Sequence, residues 1–224
     1  LMKRNYLMQF HWLNKQNNQK LIIFFAGWSF DYKPFEFLHC EDFDVLMLYD
    51  YNNLELPEIP VYDEYFLVSW SMGVFTAYLL KDKLPEFKQK IAVNGTPYPV
   101  HNEWGIPEKT FLLTLRHAKT GLEGKFYQNI FLSENEYQKY INSQVERHID
   151  NRAQELKSLY ELIKNTDMDY ITYYDNAIIS DNDKIIPTKN QQNFWNEKVE
   201  IKNLASGHFP FYNFNNWNEI LLCK

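Results

Sequence analysis

Residues 65–77 read Tyr-Phe-Leu-Val-Ser-Trp-Ser-Met-Gly-Val-Phe-Thr-Ala, an apolar segment rich in strand formers that runs directly into a helix-forming one. A serine at such a junction, here Ser71, lies on a tight turn that lifts its hydroxyl out of the sheet and beside the N–H groups of the helix start. The usual pattern is Gly-x-Ser-x-Gly, and Ser69 replaces its first glycine. Serine is small enough for this position. Because a bare Ser-x-Gly is common by chance, a plain strand-to-helix turn is the alternative.

Length and composition describe a globular chain. With 224 residues, 45% hydrophobic and 17% aromatic, it can bury one sizeable core, and one domain with an insertion is expected. No apolar run approaches the ~18 residues of a membrane span, and no secretory signal is visible. Cys40 and Cys223 lie far apart without metal-ligand spacing, which favours a reduced, cytoplasmic setting. The net charge of −6 argues against nucleic acid as the main partner.

Short apolar runs alternate with connecting segments on both sides of a helix-rich stretch. Such continuous runs are typical of strands buried on both faces of a parallel sheet. We predict strands at residues 6–13, 21–25, 45–49, 65–70, 91–97, 170–174, 177–179 and 199–204, and a closing helix at 217–223. The alternation predicts an α/β chain with a mostly parallel, doubly wound sheet.

Residues 98–166 carry little strand signal and much helix signal. They are predicted to form a helical insertion, with residues 1–97 and 167–224 forming the core. Within it we predict a helix over 107–118, a second opened by a capping box of Ser133 and Glu136, and a third with Asp150 as N-cap.

The loops after the last two predicted strands supply the groups that a serine nucleophile needs. A base must take its proton, and an acid must orient that base. His208 and Asp183 lie in these loops, where sheets of this kind carry their sites. The order Ser71, Asp183, His208 is that of α/β-hydrolases. Asp181 or Asp175 is the alternative acid, and a structural loop residue is the alternative for His208. The remaining histidines suggest no metal site.

Negative charge on an attacked carbonyl oxygen must be met by fixed donors. The backbone N–H of Met72, after the nucleophile, and that of Trp28, in the turn after residues 21–25, are the candidates for an oxyanion hole. A core tryptophan at a strand end is the alternative for Trp28, whose ring could also wall the pocket. Trp70 and Phe209 flank the catalytic pair and are expected to line an apolar slot for an acyl chain.

Several segments spread over the chain form a distinctive set. They are Phe-Phe-Ala-Gly-Trp-Ser at 24–29, Leu-Tyr-Asp-Tyr at 48–51, Val-Ser-Trp-Ser-Met-Gly-Val at 68–74, Val-Asn-Gly-Thr-Pro-Tyr-Pro at 93–99, Asp-Asn-Asp-Lys-Ile-Ile-Pro at 181–187 and Ser-Gly-His-Phe-Pro-Phe at 206–211. Together they resemble the BioG family of pimeloyl-[acyl-carrier protein] methyl ester esterases of biotin synthesis. The resemblance covers essentially the whole chain.

The resemblance implies an α/β-hydrolase core with a helical cap at 98–166. It makes Ser71 the nucleophile, Asp183 the acid and His208 the base, with an oxyanion hole as above. It also implies hydrolysis of the methyl ester that disguises the pimeloyl chain during its elongation. No cofactor and no metal are expected.

The implied substrate hangs from an acidic acyl carrier protein, so a basic docking surface is expected. In a helix over 108–119, Lys109, Arg116 and Lys119 fall on one side with Leu112, and Lys125 follows soon after. An ordinary solvated helix face is the alternative. Weaker candidates, with acids interleaved among them, are Arg147, Arg152 and Lys157.

Two other functions stay open from the sequence. One is a thioesterase or general short-chain carboxylesterase that uses the same triad. The other is a non-catalytic module that binds the carrier protein. No membrane partner is expected, and the sequence does not reveal the oligomeric state.

Overall fold

A computed structural model describes residues 7–223 of the chain. Its centre is a seven-stranded sheet in the order β1-β3-β2-β4-β5-β6-β7. The strands are β1 (Gln9–Asn14), β2 (Lys20–Phe25), β3 (Asp44–Tyr49), β4 (Glu64–Trp70), β5 (Gln89–Val93), β6 (Asn176–Ser180) and β7 (Glu200–Leu204). β1 pairs antiparallel with β3, and the other neighbouring pairs are parallel. Tyr6, at the start of the strand predicted at 6–13, lies outside the described residues.

The burial of each strand follows from its place in the sheet. In the inner strands β2 and β3, the side chains of residues 21–25 and 44–48 are buried, which explains their continuous apolar runs. The edge strands β1 and β7 have no fully buried residue. The mostly parallel α/β sheet predicted from the sequence is therefore confirmed.

Two connections cover the sheet with loops in place of α-helices. Residues 26–43 and 50–63 are all described, and their only helical segment is the short 3₁₀ turn Lys33–Phe35. Pro57 and Pro60 explain this in the second connection, because proline breaks helices. These loops carry buried aromatic side chains such as Phe30 and Tyr51.

Helices follow or connect the other strands. α1 (Met72–Leu79) follows β4, α6 (Thr188–Trp195) connects β6 to β7, and α7 (Trp217–Leu222) closes the described chain. Between β5 and β6 lie α2 (Glu108–Arg116), α3 (Tyr127–Ile130), α4 (Glu134–Ile141) and α5 (Ile149–Asn165), with a π-helical turn at Leu122–Phe126. Within residues 7–223, no helix combines the length and apolar character that crossing a membrane requires.

One predicted helix cap is confirmed and another is wrong. The Ser133 hydroxyl accepts the N–H of Glu136 at 3.3 Å and caps α4 as predicted. α5 begins before Asp150, because the extended backbone of His148 ends the preceding segment and its Nδ1 accepts the N–H of Asp150 at 3.3 Å. Asp150 therefore lies in the first turn of α5.

The strand predicted at residues 170–174 is also wrong. This extended segment has no strand partner, since β6 begins only at Asn176. Its backbone is held instead by tyrosine hydroxyls: that of Tyr78 accepts the N–H of Ile171 at 2.9 Å, and that of Tyr170 accepts the N–H of Tyr173 at 3.1 Å. The aromatic residues that gave the strand signal pack as side chains outside the sheet.

The parallel register brings the strand ends together. Phe25 pairs with Ser69, Trp70 with Val93, and Ser180 with Leu204. The loops that follow these strands therefore leave the sheet at the same edge, where parallel sheets of this kind carry their sites.

Candidate active site

Ser71 lies in a strained turn between β4 and α1. Its backbone has φ 57° and ψ −122°, a conformation that residues other than glycine rarely adopt. The turn is held because the N–H of Ser71 donates to the carbonyl of Val93 at 2.9 Å. Close packing requires Gly73, since a Cβ at that position would meet the backbone oxygen of Phe25. These features match the sharp strand-to-helix turn expected from the sequence.

Three side chains from separate loops form a continuous relay. Nε2 of His208 lies 2.8 Å from Oγ of Ser71, and its Nδ1 lies 2.7 Å from Oδ2 of Asp183. All three residues are buried, with exposed fractions of 6% for Ser71, 3% for His208 and 7% for Asp183. The imidazole can thus accept the serine proton at Nε2 while Nδ1–H donates to the carboxylate.

The carboxylate of Asp183 is held by donors on its own loop and on α6. Oδ1 of Asp183 accepts the N–H groups of Ile185 at 2.8 Å and Ile186 at 2.9 Å, and Oδ2 accepts Nε2 of Gln191 at 2.9 Å. Of the alternative acids, Asp181 is exposed, and Asp175 instead accepts the N–H of Lys90 at 2.7 Å. Nothing in the sequence pattern singled out Gln191.

The loop that carries His208 is tied to the sheet through its carbonyl. This oxygen accepts Nε1 of Trp70 at 2.8 Å and Nδ2 of Asn94 at 3.0 Å. Asn94 directly follows β5, has φ 43° and is fully buried. The strand predicted at 91–97 includes Asn94 and ends at Val93 in the structure, and the turn residues that follow Val93 are the sequence signal that could have found Asn94.

The two candidate oxyanion donors lie beside the serine. Gly27, Trp28 and Met72 line the same cavity as Ser71 and His208. Within residues 7–223, the backbone N–H groups of Trp28 and Met72 donate to no protein acceptor. The indole of Trp28 is engaged separately, because its Nε1 donates to the carbonyl of Arg152 at 2.7 Å.

A cavity lined mostly by apolar side chains opens at the serine. Apolar side chains of the helical insertion, Phe111, Ile130 and Leu156 among them, form part of its wall, and Trp70 lines it as expected. Phe209 does not line the cavity. It is fully buried behind Trp70, where its ring packs edge-on against the indole at a centroid distance of 5.5 Å.

The cationic residues considered for docking differ in environment. Lys109, Arg116 and Lys125 are exposed, whereas Lys119, also exposed, pairs with Asp150 at 2.7 Å. Leu112, on the same helix as Lys109, has an exposed fraction of 38%.

Two of the weaker docking candidates lie inside the molecule. The side chain of Arg147 is 8% exposed and pairs with Asp50 and Glu155, and Arg152 is 4% exposed. Neither presents its charge on a surface. Within residues 7–223, no group of three or more His, Cys, Asp or Glu side chains could hold a metal ion.

Comparison with known proteins places the chain in a family. The family model described as pimeloyl-ACP methyl esterase BioG matches residues 8–220. The crystal structure of BioG from Haemophilus influenzae has a TM-score of 0.88 and 29% identity, covering 95% of this chain and 99% of that one.

Two further matches differ in how much of each protein they cover. Malonyl-[acyl-carrier protein] O-methyltransferase of Bacteroides fragilis is 30% identical over 196 residues, which cover 85% of this chain but 40% of that protein. This chain therefore spans less than half the length of that relative. An alpha/beta fold family hydrolase from Bacillus anthracis, at 11% identity and a TM-score of 0.60, covers 93% of this chain and 92% of its own, a likeness of fold alone. The chain has the α/β-hydrolase fold and belongs to the BioG family.

Proposed function

We propose that the chain is a serine carboxylesterase that hydrolyses the methyl ester of a pimeloyl chain borne by acyl carrier protein, in biotin synthesis. The observation that carries the proposal is the relay of Ser71, His208 and Asp183, with hydrogen-bond distances of 2.8 and 2.7 Å. Ser71 and His208 of this relay line a mostly apolar cavity. Membership of the BioG family supports the choice of substrate.

The mechanism is acyl transfer through a covalent intermediate. His208 removes the proton of Ser71, and Oγ attacks the ester carbonyl while Asp183 stabilises the imidazolium. The N–H groups of Trp28 and Met72 donate to the oxyanion, and each such donor contributes about 10²- to 10³-fold in rate. His208 then protonates the leaving methanol. Water attacks the acyl-enzyme by the reverse sequence and releases the free carboxylate.

The inserted helices act as a cap in this proposal. Residues of α2, α3 and α5, such as Phe111, Ile130 and Leu156, line the same cavity as Ser71 and suit the methylene chain of the substrate. The carrier protein, an acidic partner, would dock where Lys109, Arg116 and Lys125 are exposed. Lys119 contributes less, because Asp150 already neutralises it. We place the reaction in the cytoplasm, in line with the unpaired Cys40 and Cys223.

A fluorophosphonate probe and a single substitution test the nucleophile. The native chain is expected to be labelled covalently and to release methanol from the carrier-bound methyl ester. Ser71→Ala is expected to abolish labelling and to lower kcat by at least about 10⁴-fold, because the nucleophile is removed. Ser158→Ala is the matched control, since Ser158 lies on α5 and its hydroxyl accepts a bond from Gln154 near the surface.

The outcomes separate the competing functions. Labelling of Ser71→Ala at the native rate would refute the assignment of the nucleophile. Faster cleavage of the thioester to the carrier than of the methyl ester would identify a thioesterase. A native chain that binds the carrier protein but is neither labelled nor active would be the non-catalytic module.

A further inference from the structure

The turn that offers the Trp28 N–H to the substrate is held from outside the core, by the helical insertion. The Trp28 indole donates to the Arg152 carbonyl on α5 at 2.7 Å, and the Ser29 hydroxyl lies 2.8 Å from the hydroxyl of Tyr127 on α3. Both contacts join residues about a hundred positions apart in the chain. The helical insertion therefore contributes contacts that hold this turn.

The backbone of the turn is held by a buried carboxylate. Glu155 of α5 is fully buried, and its Oε2 accepts the N–H of Ser29 at 3.1 Å. Its Oε1 accepts the N–H of Tyr51 at 2.8 Å, and the Tyr51 hydroxyl in turn donates to the carbonyl of Ala26, at the start of the turn, at 2.6 Å. One side chain thus connects to both sides of Trp28.

The charge of Glu155 is compensated, which keeps the carboxylate available as an acceptor. Nη1 of Arg147 lies 2.9 Å from Oε2, and this guanidinium also pairs with Asp50 at 3.1 Å. Burial raises the pKa of Glu155, and Arg147 opposes that rise. Replacing such a buried ion pair by apolar residues is often neutral for stability. A contribution to stability therefore does not by itself explain why the Arg147–Glu155 pair is present.

The turn also has a conformation that needs external support. Ser29 has φ 73°, in the left-handed region that disfavours residues with a side chain. Backbone of this kind persists only where the surrounding contacts determine it, and it is concentrated at functional sites. For Ser29 those contacts are the carboxylate of Glu155 and the hydroxyl of Tyr127.

We propose that Glu155 is a positioning residue for the oxyanion hole, which orients the Trp28 N–H by fixing the backbone of Ser29 from the helical insertion. The inference rests on the proposed function. On this proposal α5 must stay in place during catalysis, because moving α5 away would free the backbone of Trp28 and Ser29.

Glu155→Gln and Glu155→Asp test this role. A carboxamide has one acceptor oxygen for the three donors Ser29, Tyr51 and Arg147, and an aspartate keeps the charge but withdraws both oxygens by one methylene. With 4-nitrophenyl butyrate as substrate, and active sites counted by fluorophosphonate titration, kcat should fall about 10- to 100-fold. KM should stay within about twofold, because the oxyanion hole acts in the transition state. Glu161→Gln, at an exposed position of α5, is the matched control and should keep the native kcat.

A boronic acid inhibitor gives a readout that loss of folded protein would not move. It binds serine as a tetrahedral anion, so its affinity should fall by the same factor as kcat. Unchanged kcat in both variants, or a change confined to KM, would overturn the inference and leave the proposed function intact. If neither variant folds, the double change Arg147→Met with Glu155→Leu removes both charges together. Native kcat in that double variant would overturn the inference. A native chain without esterase activity would overturn both proposals.

Discussion

At the scale of single residues, two side chains of the site directly follow strands and have backbone φ in the left-handed region. Ser71 after β4 has φ 57°, and Asn94 after β5 has φ 43°. The side chain of Asn94 joins the two loops of the relay: its Oδ1 accepts the N–H of Ser180 at 2.7 Å, and its Nδ2 donates to the carbonyls of Gly207 at 3.2 Å and His208 at 3.0 Å. We therefore expect Asn94 to set the distance between acid and base.

Asn94→Asp tests this role with almost no change in shape. A carboxylate still accepts from Ser180 but cannot donate to the carbonyls of Gly207 and His208, and it places a negative charge against them. We expect kcat to fall about 10- to 100-fold and the free energy of unfolding to fall by about 2 kcal/mol or more. Kinetics per titrated active site and urea unfolding measure these effects. Asn193→Asp, at an exposed position, is the control. Native kcat in Asn94→Asp would show that the loops carrying Asp183 and His208 keep their spacing without the Asn94 amide.

The sequence singled out the three side chains that the structure brings together, but not the residues that hold them in place. Ser71, Asp183 and His208 stand in a recognisable order directly after apolar runs, so local patterns were sufficient to select them. No local sequence pattern identifies Glu155 or Gln191. Glu155 acts on Ser29, which lies 126 positions away, and the sequence does not show which surface of α5 meets that turn.

At the scale of elements, continuous apolar runs predicted the strands correctly. The prediction was wrong where aromatic residues pack outside the sheet. Residues 170–174 have strand composition, yet their rings and hydroxyls pack outside the sheet. The loops over residues 26–43 and 50–63 cover the sheet without α-helices. Composition alone does not distinguish a strand from an extended segment that uses its side chains for packing.

The first strands are joined by a carboxylate at the start of β3. Oδ1 of Asp44 accepts the N–H groups of Gln16 at 2.8 Å and Asn18 at 3.2 Å, in the turn between β1 and β2. Its Oδ2 accepts the hydroxyl of Tyr62 at 2.6 Å. Burial acts to raise the pKa of Asp44, but these hydrogen bonds outweigh it and the pKa is lowered. Asp44 thus ties the β1–β2 turn to the segment before β4.

This lowered pKa predicts how stability depends on pH. Because the pKa of Asp44 is lower in the folded state, its contribution is complete above the unfolded value of about 3.9 and is lost as the pH falls towards the folded pKa. Asp44→Asn should lower the free energy of unfolding by about 2 kcal/mol at neutral pH, and the deficit should shrink below about pH 4. Urea unfolding over this range measures it. Asp63→Asn, at an exposed neighbouring position, should change stability by less than about 0.5 kcal/mol. A deficit independent of pH would mean that the charge of Asp44 is unimportant.

At the scale of the whole molecule, an acidic protein is proposed to bind an acidic partner. The net charge is −6, so general attraction cannot bring the two together and a local cationic surface is needed. On α2, Lys109 and Arg116 are exposed near Leu112, whose exposed fraction is 38%. Lys119 is paired with Asp150. Lys109 and Arg116 are therefore the residues of this helix to test first.

Charge reversal separates docking from chemistry. The double variant Lys109→Glu, Arg116→Glu should lower kcat/KM for the carrier-bound pimeloyl methyl ester about tenfold or more at low salt. It should leave hydrolysis of the free pimeloyl methyl ester unchanged, because neither residue lines the cavity at Ser71. Added salt should narrow the difference in kcat/KM between the native chain and the double variant, since exposed charges are screened over about 10 Å at 0.1 M. Lys189→Glu, at an exposed position of α6, is the matched control. Equal native rates on the free and the carried ester would rule out productive docking at this surface while leaving the serine chemistry in place.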